Sequence, residues 1–343
     1  MPVDKSRRNL IIGLGAAAAL AAAGWGTAAY EMTSKVTKVV QATPNFAQGI
    51  SIIFNGHWGP TNVFGNAVEI GFNQACELTG AQCKFYRSEH GDANEADIIS
   101  NLETAINQHP DVLIATYIYD AVGPYLAQAS KQGIIVILSN VNAPTPQAFE
   151  ESGAVSFIGQ SLVEAGYVAA QALSKYFPSG SHVAILNEGP GQVWATQRIE
   201  GITEFLKEYD CTWDIISSSF NLPEVASQIS AYIEANPDTK AILSNGYGSA
   251  VVSEVFPKLG INPGQIAVNA FDITPEVLNA ILSGYVQLTI DQQPYLQGFL
   301  PVIQGILMKK YMLSGWNVNT GDYVITKEIA EKVAPLVKEG IFY

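Results

Sequence analysis

The chain has 343 residues, of which 48% are hydrophobic and 14% are charged, and its formal net charge is −13. A chain of this length can form two domains with sizeable cores. The acidic charge excludes a basic surface for the phosphates of nucleic acids, and three cysteines are too few for a disulfide scaffold.

The first 29 residues have the layout of an export signal. A short basic segment precedes an apolar stretch over residues 10–23, and small residues follow up to residue 29. The segment 6–11, which contains Arg7 and Arg8, resembles the twin-arginine export motif. The apolar stretch is close to the length that spans a bilayer, so an uncleaved membrane anchor is the alternative to a cleaved signal. Both interpretations place the remaining chain in a periplasmic or other extracytoplasmic compartment.

The rest of the chain alternates between short apolar runs, which indicate strands, and helical patterns. About ten strands suit two sheets better than one, and the alternation predicts parallel sheets with helices on both faces. The sequence therefore predicts an α/β protein with two similar lobes. Strands are predicted at 50–54, 84–86, 112–118, 134–138, 155–158, 182–186, 215–220, 241–243, 266–270 and 286–290. Helices are predicted at 64–78, around 98–106, between the strand 112–118 and about residue 132, and at 161–176, 196–209, 223–235 and 275–282.

Ligands of parallel α/β sheets bind beyond the carboxyl ends of the strands. The residues at these positions are mainly amides, carboxylates and aromatic rings, with few cations. Amides and carboxylates hydrogen-bond hydroxyl groups, and aromatic rings pack on the C–H faces of a sugar ring. Taken singly, each Asn or Asp is better explained as a turn residue than as a ligand contact. The strand-end candidates are Asn55, His57, Trp58, Asn140, Trp194, Phe220, Asn245, Tyr247, Asp272 and Gln292.

Three segments resemble a known family. The segment 289–298 is similar to the last crossover and following helix of the type I periplasmic solute-binding proteins of ABC importers, in the branch that binds simple sugars. The segment 269–275 matches a strand that ends in a ligand-binding Asp, and 120–137 matches a helix and strand of the first lobe. This resemblance implies two Rossmann-like lobes with parallel sheets, joined by a three-strand hinge that crosses near Val155, Gln293 and Tyr323.

The resemblance also implies a division of the chain and a set of ligand contacts. The N-terminal lobe is expected at 46–155 plus 294–322, and the C-terminal lobe at 156–293 plus 323–343. The family's usual Asp-Arg pair is replaced by Asn140 and Val141, which argues against a ribose-like ligand and leaves polyols, other pentoses, hexoses and other neutral polar solutes open. The contacts implied by matching positions are Asn55, Trp58, Phe64, Asn140, Arg198, Phe220, Asn245, Asp272 and Gln292.

The function implied is an extracytoplasmic receptor that closes its lobes around a small neutral sugar or polyol and delivers it, as a monomer, to the membrane permease of an ABC importer. A sensory receptor for chemotaxis or signalling is one alternative. An extracytoplasmic carbohydrate enzyme is the other. The chain has no GxSxG, HExxH or P-loop motif and no metal-like histidine spacing, so neither catalysis nor a cofactor is predicted.

The three cysteines leave one question open. Cys76 and Cys83 flank a predicted helix end and strand, and export makes a disulfide between them feasible. Their spacing permits this bond but does not require it. Cys211 would then be a buried thiol.

Overall fold

A computed structural model describes residues 45–343, so the predicted export signal lies outside the described residues. Twelve strands form two six-stranded sheets in this part of the chain, one in each of two α/β lobes. No helix in residues 45–343 has both the length and the apolar character needed to cross a membrane.

The first lobe contains a parallel sheet with the strand order β11-β5-β4-β3-β1-β2. The fifth helix of this lobe forms after the chain has returned from the second lobe, and it packs against the first helix. The strands are β1 (Ser51–Asn55), β2 (Gln82–Tyr86), β3 (Val112–Ala115), β4 (Ile135–Ser139), β5 (Ser156–Gly159) and β11 (Val318–Asn319). The helices are α1 (Val63–Thr79), α2 (Glu95–Asn107), α3 (Gly123–Lys131), α4 (Pro146–Ser152) and α10 (Pro294–Tyr311).

The second lobe repeats this arrangement with the strand order β12-β10-β9-β8-β6-β7, in which only β12 runs antiparallel to its neighbour. The strands are β6 (His182–Glu188), β7 (Thr212–Ser218), β8 (Ala241–Ser244), β9 (Ala267–Phe271), β10 (Leu288–Asp291) and β12 (Tyr323–Thr326). The helices are α5 (Leu162–Leu173), α6 (Val193–Glu208), α7 (Leu222–Ala235), α8 (Val252–Lys258), α9 (Pro275–Leu282) and α11 (Lys327–Lys338).

Glycines bring the first helix pair of the second lobe into backbone contact. A Cβ atom added to Gly201 of α6 would lie 1.9 Å from the carbonyl oxygen of Val163 in α5, and one added to Gly166 would lie 1.9 Å from that of Arg198. Any side chain at these positions would force the helices apart. The close packing fixes the position of Arg198 on α6.

The helix predicted at 64–78 is present as α1, and its apolar residues are buried from Phe64 to Ala75, whereas Leu78 in the last turn is 63% exposed. One expectation about the lobes is wrong. The first crossing between lobes was expected near Val155, with 156 opening the second lobe. Instead, Ser156–Gly159 forms β5 of the first sheet, so the chain leaves that sheet after residue 159.

Side-chain amides connect the three crossings between the lobes. Gln160, which follows β5, donates from Nε2 to the carbonyl oxygen of Gly321 at 2.9 Å. Gln293, which follows β10, donates to the carbonyl oxygen of Thr320. Gln297 donates to Thr320 Oγ1 at 3.1 Å. The crossings therefore form one hydrogen-bonded hinge rather than three independent linkers.

The Cys76–Cys83 disulfide is present, with a Cα–Cα distance of 6.2 Å, and it joins the end of α1 to β2. Cys211 is a buried free thiol, as the sequence predicts.

Candidate functional site

A cavity of about 1230 Å³ lies between the lobes, at the carboxyl ends of both sheets. Loops after the strands of both sheets contribute its walls. Ten of the twelve residues predicted from the sequence line it: His57, Trp58, Phe64, Asn140, Trp194, Arg198, Phe220, Tyr247, Asp272 and Gln292.

Arg198 is held rigidly at the inner wall of the second lobe, where it is only 4% exposed. Its Nη2 donates to Gln160 Oε1 at 2.7 Å, and its Nη1 donates to the carbonyl oxygen of Asn245 at 2.9 Å. The guanidinium carbon lies 4.2 Å from the centre of the Phe271 ring. Burial lowers the pKa of Arg198, and the nearby carboxylates of Asp272 and Glu188 oppose that shift. Arg198 is thus held in a fixed orientation, with few N–H groups left to donate to a ligand.

Asp272 and Gln292 form a polar pair beside Arg198. Gln292 donates from Nε2 to Asp272 Oδ1 at 2.8 Å, which leaves the other carboxylate oxygen for a ligand. Asp272 has a left-handed backbone, with φ of 63°, at the end of β9. Burial raises its pKa, and both Arg198 and Gln292 partly offset this by stabilising the ionised form. The pair can accept hydrogen bonds from ligand hydroxyl groups.

Three aromatic rings form a row on the second lobe. The centroids of Trp194 and Phe220 are 6.1 Å apart, and those of Phe220 and Tyr247 are 6.4 Å apart. The ring planes are inclined by 34° in the first pair and by 24° in the second, so the three ring faces are roughly aligned. Such faces can pack against the apolar C–H surface of a sugar ring.

The first lobe contributes His57, Trp58 and Phe64. The rings of His57 and Trp58 are 4.5 Å apart, and those of Trp58 and Phe64 are 5.6 Å apart. Burial lowers the pKa of His57 to about 4, although the carboxylate of Asp92 acts in the opposite direction. His57 is therefore neutral at pH 7, and this wall adds no cation to the cleft.

Asn140 also has a left-handed backbone, with φ of 62°. Its Nδ2 donates to Gln297 Oε1 at 2.9 Å, and Val141 lines the cleft beside it. The amide of Gln297 is in turn bonded to the hinge at Thr320. Asn140 thus connects the cleft to the hinge, at the place where the sequence departs from the family's Asp-Arg pair.

Two predicted site residues, Asn55 and Asn245, do not line the cavity. Asn55 is 1% exposed and donates from Nδ2 to the carbonyl oxygen of Ile98 at 3.1 Å. Asn245 is fully buried; its Oδ1 accepts from the Glu188 backbone N–H at 2.8 Å and its Nδ2 donates to Asn187 Oδ1 at 3.0 Å. The Asn55 side chain thus satisfies a backbone group of its own lobe, and the Asn245 side chain satisfies a backbone group and a side chain of its own lobe. Asn245 acts on the cleft only through its carbonyl oxygen, which holds Arg198.

Several residues that line the cleft were not predicted, among them Gln160, Asp92 and Tyr343. Gln160 directly follows β5, so its position after a strand was a usable signal. Asp92 lines the cavity, and its Oδ1 accepts from the Gly59 backbone N–H at 2.6 Å. Tyr343 reaches the cavity from the segment after α11, and no local pattern indicates that.

Two buried carboxyl groups lie behind the cleft wall. Burial raises the pKa of Glu188 to about 7, although Gly248 N–H and Ser244 Oγ both donate to its Oε1 at 2.9 Å. Burial and the neighbouring Asp272 raise the pKa of Asp291 to about 8, while the backbone N–H of Gln293 offsets part of that shift. Neither oxygen of Asp291 makes a hydrogen bond of normal geometry. No cluster of metal-ligating side chains occurs within residues 45–343.

Comparison with known proteins identifies the family. A family model described as a periplasmic binding protein domain matches residues 56–306. The chain is 31% identical over 287 residues to the xylose/arabinose-binding protein XylF of Sulfolobus acidocaldarius, which covers 80% of this chain and 70% of that protein. The chain therefore belongs to the periplasmic binding protein family, a family of binding proteins, as the resemblance of its motifs indicated.

Solved structures confirm the two-lobed type I fold. A periplasmic ribose ABC transporter protein from Conexibacter woesei superposes with a TM-score of 0.77 at 21% identity, covering 87% of this chain and 99% of that chain. An ABC transporter solute-binding protein from Burkholderia graminis, in complex with D-arabinose, superposes with a TM-score of 0.71 at 23% identity, covering 82% and 96% of the respective chains.

Proposed function

We propose that this protein is an extracytoplasmic receptor that captures a small neutral sugar between its lobes and delivers it to the permease of an ABC importer. The observation that carries the proposal is the composition of the cleft. Amides, carboxylates, hydroxyl groups and aromatic faces from both lobes converge on one cavity. These are the groups that bind a ring with hydroxyls at its edge and C–H bonds on its faces.

The charge of the cleft supports a neutral ligand. Arg198 is the only Lys or Arg among the lining residues in the described part of the chain, and three of its five N–H groups already donate to Gln160 and Asn245. Asp92, Asp120 and Asp272 also line the cavity, and His57 is neutral at pH 7. A phosphorylated or carboxylated ligand would meet net negative charge, which disfavours its binding.

Closure of the lobes supplies the mechanism. A ligand that contacts both lobes binds the closed form better than the open form and shifts the population towards it. Closure excludes water, which strengthens each polar contact between ligand and protein. The amide network at Gln160, Gln293 and Thr320 lies where this rotation takes place. The closed form is then the form that a permease recognises.

The relatives narrow the sugar to be tested first. XylF is described as binding xylose and arabinose. Asn140 and Val141 depart from the pair expected for a ribose-like ligand, so we propose xylose or arabinose ahead of ribose. The relatives described here are transport proteins, which favours delivery to a permease over chemotaxis or signalling. Residues 1–29 would direct export, by the twin-arginine route, and would be either cleaved or retained as an anchor.

A thermal-shift screen tests the proposal. The protein is heated with D-xylose, L-arabinose, D-ribose or myo-inositol, and with D-xylonate as the charged control. A sugar at a hundred times its Kd stabilises the folded form by about 2.7 kcal/mol, or roughly 4–8 °C in melting temperature. We expect a shift with a neutral pentose, recovery of that pentose unchanged, and no shift with xylonate. No shift with any neutral sugar, or conversion of the sugar to a product, would contradict the proposal.

A further inference from the structure

Two consecutive aromatic residues after α11 pack against different lobes. The helix α11 packs in the second lobe through Ala330 and Val333, and Phe342 packs against the same core. Tyr343 instead packs against the core of the first lobe. Its ring meets Phe64 of α1 edge to face, with centroids 5.6 Å apart. This is a contact between the lobes in addition to the three hinge crossings.

The backbone after α11 directs Tyr343 towards the first lobe. Gly340 has φ of 75°, and its N–H donates to the Val337 carbonyl at 3.2 Å, while the Ile341 N–H donates to the Leu336 carbonyl at 3.1 Å. This is a Schellman motif, in which glycine ends a helix and reverses the chain. A Cβ atom on Gly340 would lie 3.4 Å from Ile70 Cδ1 of α1 in the first lobe. The segment therefore already lies close to the first lobe at Gly340.

Tyr343 also faces the predicted ligand site. It lines the cavity together with Phe64, Asp92, Tyr247 and Asp272. Burial raises the pKa of Tyr343, and carboxylates of both lobes add to this shift, Asp272 from the second lobe and Asp92 from the first. The side chain is thus partly desolvated at the junction of the lobes, where a bound sugar would meet it.

We propose that Tyr343 is a ligand-facing residue that holds the lobes together through Phe64 and so favours the closed form before a sugar arrives. The contact with Phe64 is lost when the lobes separate, because the two rings belong to different lobes. An aromatic pair of this geometry changes an equilibrium roughly two- to tenfold. The ligand-facing role rests on the proposed function, whereas the effect on lobe closure does not.

Single-molecule energy transfer without ligand tests the effect on closure. Dyes are attached through Glu150→Cys on α4 and Ser227→Cys on α7, exposed positions on opposite lobes. Cys211 is buried and the other two cysteines are bonded, so they do not compete for the dyes. We expect Tyr343→Ala to lower the ratio of closed to open molecules about two- to tenfold. We expect Gly340→Ala to lower it as well, because that position requires a left-handed backbone.

Two variants serve as controls for the ring contact. Tyr176→Ala removes an exposed tyrosine of the second lobe that does not line the cavity, and should leave the ratio unchanged. Tyr343→Phe keeps the ring and should keep the ratio. A ratio in Tyr343→Ala equal to that of the unchanged protein, or a Tyr343→Phe ratio as low as that of Tyr343→Ala, would overturn the assignment.

Calorimetry with L-arabinose and D-xylose tests the ligand-facing role. The apparent Kd depends on the fraction of molecules in the binding-competent form, so Tyr343→Ala should weaken binding by at least the factor by which the closed fraction falls. A Kd that stays at the value of the unchanged protein would overturn this role. If the unchanged protein bound no sugar, the proposed function would fail, while the energy-transfer measurement would still decide the contact between the lobes.

Discussion

Replacing Asp272 by Asn isolates the contribution of one negative charge to sugar binding. Asp272 has φ of 63°, a left-handed conformation that Asn adopts more readily than Ala, so Asp272→Asn adds less backbone strain than Asp272→Ala. The Asn side chain can still accept the hydrogen bond from Gln292, which is 2.8 Å long in the structure. The substitution therefore changes the strength of the acceptor and little else in the geometry.

The expected loss of affinity follows from the difference between charged and neutral hydrogen bonds. A hydrogen bond to a charged group contributes about 1.5–3 kcal/mol, and a neutral one about 0.5–1.5 kcal/mol. The difference of about 1–1.5 kcal/mol raises Kd roughly 5- to 13-fold. The affinity of the unchanged protein should also fall as the pH is lowered through the raised pKa of Asp272, and that dependence should weaken in the variant.

Titration calorimetry with L-arabinose or D-xylose measures both effects. Asp238→Asn is the matched control, since it removes the same charge at an exposed position of the second lobe outside the cavity. Melting temperatures without sugar show that each variant is folded. A Kd for Asp272→Asn within twofold of the control would remove Asp272 from the binding site and refute the reasoning above.

Two further predictions concern stability. Since burial raises the pKa of Asp291 to about 8, the folded protein keeps a proton that the unfolded chain releases near pH ~4. The free energy of unfolding therefore falls as the pH rises from about 4 to about 8. Asp291→Asn should flatten this fall in thermal melts, leaving the slope due to Glu188 and Asp272, whose pKa values are also raised. Melting temperatures of the variant and the unchanged protein that change in parallel with pH would contradict this prediction. The Cys76–Cys83 bond closes a loop with a sequence separation of 7. Its reduction should lower the free energy of unfolding, measured with urea, by about 2–3 kcal/mol. The double variant Cys76→Ala/Cys83→Ala should not respond to reductant, and an unchanged midpoint for the reduced parent protein would refute this estimate.

The fold was predictable because buried parallel strands are continuous apolar runs. The strands β3, β4, β8 and β9 are buried along their whole length or nearly so, and the sequence located each of them to within a few residues. The edge strand β7 begins at Thr212, three residues before the predicted start, because its first residues are partly exposed and show no apolar run. The two-residue strand β11 is too short to give a pattern, and in β12 only Ile325 is buried, so that strand lacks the run of buried apolar residues that marks the others.

The site was predictable only as a set of positions. Three of the predicted site residues are asparagines that end or follow a strand: Asn55, Asn140 and Asn245. Only Asn140 of these three lines the cavity. The difference lies in the backbone, because Asn140 has a positive φ and the other two residues do not. Asp272 shares that conformation in the other lobe. Asn adopts both conformations readily, so residue identity alone does not separate an amide that faces a ligand from one that satisfies its own lobe.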